Sequence, residues 1–498
     1  MEQELIRKKH EIINTFLKNG LLVSSELLEE INNEDQILKI FELLKSSQNK
    51  NLTVLSADFG QLKKHTTQKT NQPEQTEQED KIKIINSYRE EPKKRESQDF
   101  AEHFVIRYKG LEKILKQHQE LKNTISINKL TNKKEKEALA IIGIVSSKQT
   151  TKNGNILLVL EDPTGQIKVL INKNKPSLFN EAKDIVLDEV IGVVGVNVGD
   201  FIFANNIIHP DTPTNKELKK ADKESYIIFL SDLHVGSSKF LPDDFEKFLK
   251  WINNGLGNEG QRRIAKNIEC IFIAGDLVDG VGIYPGQEKE LIIKDIYDQY
   301  KECAKLLKQI PNRIPLIICP GNHDALRISE PQPPLSKDFA KPLYELNNTI
   351  MVSNPSLINI NSSNNFSGFD VLMYHGYSFD YFVAEVDSLR NQGGYDRPDL
   401  IMKFLLKRRH LAPTHLSTLY TPDTKKDALL IEKVPDFFLS GHIHKSATSN
   451  YRNTTLICGS CWQGKTLFQE KVGHNPEPSR VPIVNLQTRD IKVLKFGQ

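Results

Sequence analysis

The sequence predicts an α/β (α+β) protein in three parts: a small N-terminal helical domain, a small β-barrel, and a large layered domain of alternating strands and helices. Three observations predict it. Apolar spacing is helical over residues 1–45 and 99–135, alternates as in strands over 136–212, and settles into a strand–helix rhythm over 225–498. At 498 residues the chain exceeds one ordinary domain, and 38% hydrophobic content suffices for several cores. Short His- and Asp-bearing motifs follow the buried strands of the last part.

In the N-terminal part, Ile6, Ile13, Phe16 and Leu17 share a helical face that Gly20 can terminate, and Ile37, Ile40, Phe41 and Leu44 continue the pattern. Nothing catalytic stands there, so residues 1–45 read as a partner-docking domain. Residues 46–98 read as a flexible linker, because the stretch around Asn71–Asp80 is rich in Gln, Thr, Glu and Lys and poor in apolar side chains. Residues 99–135 return to helical spacing as a connector anchored by Phe100, Phe104, Leu111 and Leu115.

Five β-branched runs then fall within residues 136–212, divided by Asn153-Gly154, Pro163-Thr164-Gly165 and Gly199-Asp200. That pattern fits a Greek-key barrel of the OB type. Such barrels grip single strands through stacking aromatics and basic grooves. The few aromatics here, Phe179, Phe201 and Phe203, read as packing. From residue 225 on, the runs ending at Leu230, Ala274, Cys319, Tyr374 and Leu439 are short and wholly apolar. Ile293, Ile296, Tyr300, Cys303 and Leu307 step by three and four as a helix stripe between them. Alternation of this kind puts function at strand ends.

Bulk properties exclude several classes. No apolar run approaches a bilayer span, and the polar start Met1-Glu2-Gln3-Glu4 is unlike a secretory signal, so a cytoplasmic protein is expected. A net charge of +3 is too small for a global nucleic-acid field, so any DNA contact must be local. Five cysteines supply no disulfide framework. Cys458 and Cys461 form a lone CxxC without the second pair of a zinc site, and read as reduced thiols beside a turn.

The chemistry lies in five motifs: Asp232-Leu233-His234, Gly275-Asp276, Gly321-Asn322-His323-Asp324, His375-Gly376 and Gly441-His442-Ile443-His444. Singly, each has an ordinary reading as a helix cap, a turn or a core histidine. In order, each after a strand, they offer the oxygen and imidazole donors that a pair of divalent cations needs. Asp232 and His234, two apart in an extended segment, would point the same way, and His442 and His444 repeat the spacing. Asp276 can bridge two ions, and Asn322 adds a neutral oxygen. His323 is expected to protonate or stabilise a leaving oxygen, with Asp324 orienting its ring. Mixed donors of this kind favour Mn²⁺, with Mg²⁺, Fe or Zn²⁺ as alternatives. Asp279 reads as a turn residue. His209, His410, His415 and His474 read as surface or structural, and Lys403–His410 as a solvated helix end rather than a phosphate guide.

The five motifs resemble the calcineurin-like metallophosphoesterase superfamily over nearly all of 225–465. The barrel immediately before them is similar to the arrangement in the B-subunit family of replicative DNA polymerases, and most of all in the small subunits of archaeal D-family polymerases. The stretches Ile228–Ser237, Pro320–Asp324, Tyr374–Asp380, Gly459–Gln463 and Val481–Val484 carry that resemblance. It implies a four-layer sandwich over 225–498. It further implies one metal on Asp232, His234, Asp276 and His444, and a second on Asp276, Asn322, His375 and His442, with His323 catalytic. It also implies a proofreading 3′→5′ exonuclease acting on single-stranded DNA at a primer terminus, bound to a large catalytic polymerase subunit. A non-catalytic scaffold and a free-standing phosphoesterase or repair nuclease are the alternatives. The first predicts lost ligands, and this chain has kept all of them.

Overall fold

The computed structural model describes residues 81–498 apart from 90–92, 131–135, 472 and 498, together with the short parallel strands β1 (Leu22–Val23) and β2 (Val54–Leu55). Leu22–Val23 and Val54–Leu55 are thus strands where the sequence predicts a helical domain and a linker; the expected helices themselves, and most of the linker, lie outside the described residues. Its C-terminal end does not. Ile82–Ser87 form strand β3, which pairs antiparallel with Ser356–Ile360. The isoleucines of this strand were hidden by averaging with polar neighbours, and its hydrogen bonds come from a strand remote in sequence.

Strands β4 (Ala138–Thr150), β5 (Ile156–Asp162), β6 (Gly165–Ile171), β7 (Val190–Val198) and β8 (Phe201–Ile208) close into a barrel of order β4-β5-β6-β8-β7. Alternation sends Ile156, Leu158 and Leu160 of β5 inward, where the helix Pro176–Lys183 adds Leu178 and Ala182. Of the aromatics read as packing, Phe179 does pack on this core. Phe203 instead stays 41% exposed, and Lys168 lies over the Phe201 ring. The helix Ser97–Leu115 rests Tyr108, Leu111 and Leu115 on the barrel's Ala140, Ile142 and Ile144.

Two six-stranded sheets build the large domain. The first has the order β12-β11-β10-β9-β18-β19, with β9 (Tyr226–Leu230), β10 (Ile268–Ala274), β11 (Leu316–Cys319) and β12 (Thr349–Met351) parallel. Its β18 (Arg480–Asn485) runs antiparallel to β9, and β19 (Ile491–Lys495) antiparallel to β18. The second has the order β16-β17-β15-β14-β13-β3, from β13 (Ser356–Ile360), β14 (Phe369–Met373), β15 (Phe437–Ser440), β16 (Ala447–Tyr451) and β17 (Thr454–Cys458). One apolar cluster takes Ile227, Phe229 and Phe272 from the first sheet and Val371, Phe437 and Ile457 from the second. The other faces are covered as well. Ile228 and Ile271 meet Phe245, Phe248 and Tyr300 of helices, while Leu372 and Phe438 meet Phe382, Met402 and Leu405. Strands buried on both faces read as continuous apolar runs, which is why they were visible in the sequence.

The Lys403–His410 run is only in part the solvated helix end expected: Lys403 is exposed, but Arg408, Arg409 and His410 are buried. At the end of the helix Pro398–Arg408, buried Arg408 pairs with buried Glu189 at 2.7 Å and donates to the Asp184 carbonyl at 2.6 Å. These bonds fasten the barrel. Buried His209 stands 3.4 Å from Glu181 of the same junction. His410 joins a buried cluster in which Asp427 accepts from His410 at 2.9 Å and from Arg107 of the connector helix at 2.8 Å.

Candidate metal centre

Every motif begins within a few residues of the C-terminal end of β9, β10, β11, β14 or β15, so the sheets bring distant residues to one edge. The local backbone differs from the extended segments expected. Asp232, His234, Asp276, His442 and His444 all have φ between 51° and 68°. Left-handed backbone is costly for residues with a Cβ, on the order of 1–2 kcal/mol each, and persists where the surroundings over-determine it. Their side chains therefore converge through tight turns and not through a pleat. Two glycines make the turns possible. A Cβ on Gly321 would lie 2.1 Å from Asp276 Oδ1, and one on Gly441 would lie 2.6 Å from Asp232 Oδ2.

Asp276 sits at the centre. Its Oδ1 accepts the His323 backbone N–H at 2.8 Å, which leaves Oδ2 3.3 Å from His375 Nε2 and 3.8 Å from His234 Nε2. On one side, His234 Nε2 and His444 Nε2 stand 3.0 Å apart, with Asp232 Oδ1 3.5 Å from His444 Nε2. On the other, His375 Nε2 is 2.9 Å from Asn322 Oδ1, and His442 joins Asp276 and His375 in a second group of donors. The seven donors proposed from sequence thus fall into two adjacent sets, with Asp276 grouped with His375 and His442 and its Oδ2 3.8 Å from His234 Nε2 of the other set.

Neighbours fix which ring nitrogens face inward. His375 Nδ1 bonds the Ala274 carbonyl at 2.8 Å, His234 Nδ1 bonds Asp279 Oδ1 at 3.1 Å, and His442 Nε2 bonds Asp380 Oδ2 at 3.0 Å. The inward nitrogens are then Nε2 of His375 and His234 and Nδ1 of His442. Burial opposes charge throughout, yet the imidazoles hold Asp276 well below the usual carboxylate range. Burial likewise opposes protonation of His375, but Asp276 and Asp232 carry it up to about 10.

Asp324 does not orient the His323 ring. The Nδ1 of His323 bonds the Asp279 carbonyl at 2.8 Å, whereas Asp324 accepts from Gly321 N at 2.9 Å and from the Tyr300 hydroxyl at 3.1 Å. Its carboxylate braces the turn that carries Asn322. Burial and the nearby Asp276 charge push it up to about 7.

Residues 225–446 match the calcineurin-like phosphoesterase family model. The DNA polymerase II small subunit of Methanothermobacter thermautotrophicus is 39% identical over 399 residues, covering 80% of this chain and 79% of that one. The chain belongs to the DNA polymerase II small-subunit family. The proteins of that name from Pyrococcus horikoshii (40% identical) and Methanocaldococcus jannaschii (39%) match 80% and 78% of this chain but only 63% and 64% of their own. This chain therefore spans less than two thirds of those longer relatives.

Within this family member, sequence reasoning missed the residues that hold the donors. Asp279 is fully buried. Besides His234, it accepts from Gln463 at 2.8 Å and from Gln287 at 3.1 Å. Its place three residues after Asp276 was the available signal, since both follow one strand. The Gln469 amide meets His444 Nδ1 at 2.9 Å, and no sequence pattern marks it. His474, partly exposed, lines a cavity of about 260 Å³ together with His234, Asp276 and His442. Cys458 and Cys461 are both buried free thiols. No helix of the described residues is long and apolar enough to cross a membrane.

Proposed function

We propose that this chain is the small subunit of a two-subunit DNA polymerase and carries a dinuclear-metal 3′→5′ exonuclease that trims single-stranded primer ends, in the cytoplasm and on chromosomal DNA. Its partner is the large catalytic subunit. The proposal includes an OB-type barrel and a four-layer α/β/β/α domain. One observation carries the catalytic part: the described cavity wall contains His234, Asp276, Asp279, Asp380 and His442 but no Lys or Arg. A phosphodiester is an anion, and the carboxylates of Asp276, Asp279 and Asp380 repel it unless cations lie between.

The donor chemistry fits two divalent ions, with Mn²⁺ preferred. Asp232, His234, Asp276 and His444 would hold one, and Asp276, Asn322, His375 and His442 the other. Ions bound there would supply Lewis acidity, polarising a phosphoryl oxygen and lowering the pKa of water. The protein's own groups do the rest. The His323 amide pins Asp276 Oδ1 and so keeps Oδ2 turned to both donor sets. With Nδ1 of His323 committed to the Asp279 carbonyl, Nε2 is the atom that passes a proton to the leaving oxygen. Burial lowers the proton affinity of His323, while Asp276 and Asp279 restore part of it.

Single-stranded DNA labelled at its 5′ end and incubated with Mn²⁺ should give a ladder shortened from the 3′ end. Asp276→Ala should abolish it, and His323→Ala should slow it by about 10²–10⁴-fold, with assembly onto the large subunit intact. Unchanged rates in the metal-loaded variants would reject the site. No hydrolysis by the wild-type complex would instead favour a scaffold.

A further inference from the structure

Beside its polar donors the cavity is lined by apolar and aromatic side chains, among them Ile283, Tyr284, Ile328 and Phe468. The short helix Leu467–Lys471 stands there and has no buried residue, with Leu467 59% and Phe468 48% exposed. A helix that covers no core has no packing reason to carry a leucine and a phenylalanine side by side. Phe468 is nevertheless held in place. Its ring stacks on Tyr284 at 5.4 Å between centroids and 26° between planes, and Tyr284 in turn stands edge-on to His323 at 6.4 Å. Buried Glu290 ties the two walls together, accepting from the Tyr284 hydroxyl at 3.0 Å and from Leu467 N at 3.1 Å. Both rings line the cavity that contains Asp276, Asn322 and His442.

We infer that Phe468, backed by Tyr284, is a stacking platform for the terminal nucleobase of the strand whose phosphodiester lies over the donor cluster. This rests on the nuclease reading and adds the way the strand end is held. The division of the cavity matches a nucleotide's own, with an anionic phosphate at one end and a flat π-surface at the other. Every base has such a surface, so the grip is tolerant of sequence. It suits an end that has frayed from its template, because only an unpaired base has a free face to offer. Phe468 acts by positioning and takes no part in bond making.

The test uses the full chain with Mn²⁺ and an oligodeoxynucleotide whose last linkage is a non-hydrolysable methylenephosphonate and whose 3′-terminal base is 2-aminopurine. Stacking should quench its fluorescence with wild type and with Phe468→Tyr. Phe468→Ala should lose the quenching and bind roughly 5- to 150-fold more weakly, the range for one base–aromatic stack. An oligonucleotide abasic at its 3′ end should bind wild type and Phe468→Ala equally. Absence of quenching in the wild type, or equal weakening for both oligonucleotides in Phe468→Ala, overturns the platform. Quenching without cleavage of an ordinary linkage would leave the platform standing and sink the nuclease reading.

Discussion

Asp279→Ala tests whether the donor cluster depends on residues that no motif revealed. The carboxylate is fully buried, accepts from His234 Nδ1 at 3.1 Å, and is held by Gln463 at 2.8 Å and Gln287 at 3.1 Å. Without it, His234 loses the group that fixes its tautomer and points Nε2 at Asp276. Partners of this kind are worth about 10–100-fold in metal affinity, which is about 1.4–2.7 kcal/mol. The contact to His323 should survive, because it uses the Asp279 backbone carbonyl and not the side chain. Calorimetric titration of the metal-stripped chain with Mn²⁺ should therefore show weaker binding by that factor. Asn at the same position keeps an acceptor for His234 and should recover part of the loss. A folded Asp279→Ala chain that binds Mn²⁺ as tightly as wild type would refute the argument that Asp279 holds His234.

Three further predictions follow from packing and charge. Gly321→Ala would place a methyl 2.1 Å from Asp276 Oδ1, so Mn²⁺ binding and hydrolysis should both fall by at least about 100-fold, measured by titration and by the 5′-label assay. Buried His410 is lowered to about 4, by burial first and then by Arg107, with Asp427 opposing. The unfolded chain takes up this proton near pH 6.5 and the folded chain resists it until about 4, so stability falls as pH drops across that window, by up to about 3 kcal/mol. Urea midpoints at pH 7 and pH 4.5 should show the loss, and it should shrink in His410→Gln. Deleting residues 1–80 should spare nuclease activity and weaken capture of the large subunit. Deleting 1–98 also removes β3 from its pairing with β13, and should lower the melting temperature as well. Equal melting of the two truncations would contradict a stabilising role for β3.

Much of the fold was legible because burial on both faces writes itself as apolar runs. Tyr226–Leu230 and Phe437–Ser440 are such strands, and each introduces a donor motif. The barrel was legible for a related reason, since short strands separated by Gly- and Pro-bearing turns admit few closed arrangements. Strand β3 was not, because its partner lies far along the chain and its neighbours are polar. Nor was the fate of Lys403–His410, where Arg408 is buried against Glu189 and the Asp184 carbonyl beside the barrel, and Arg409 against the carbonyls of Ile431 and Glu432.

Alone, the amino-acid order settled which atoms are available: two aspartates, an asparagine and four imidazoles, each just past a strand. Tertiary structure decided how they are used. Left-handed turns at Asp232, His234, Asp276, His442 and His444 aim the donors inward, and Asp279 and Asp380 select the nitrogens that face the centre. The same level reassigned Asp324 from ring to loop and made Phe468 a half-exposed ring lining the cavity. The reason is physical. Donor identity is a property of single residues, whereas direction and tautomer depend on hydrogen bonds between residues that meet only when both sheets are in place.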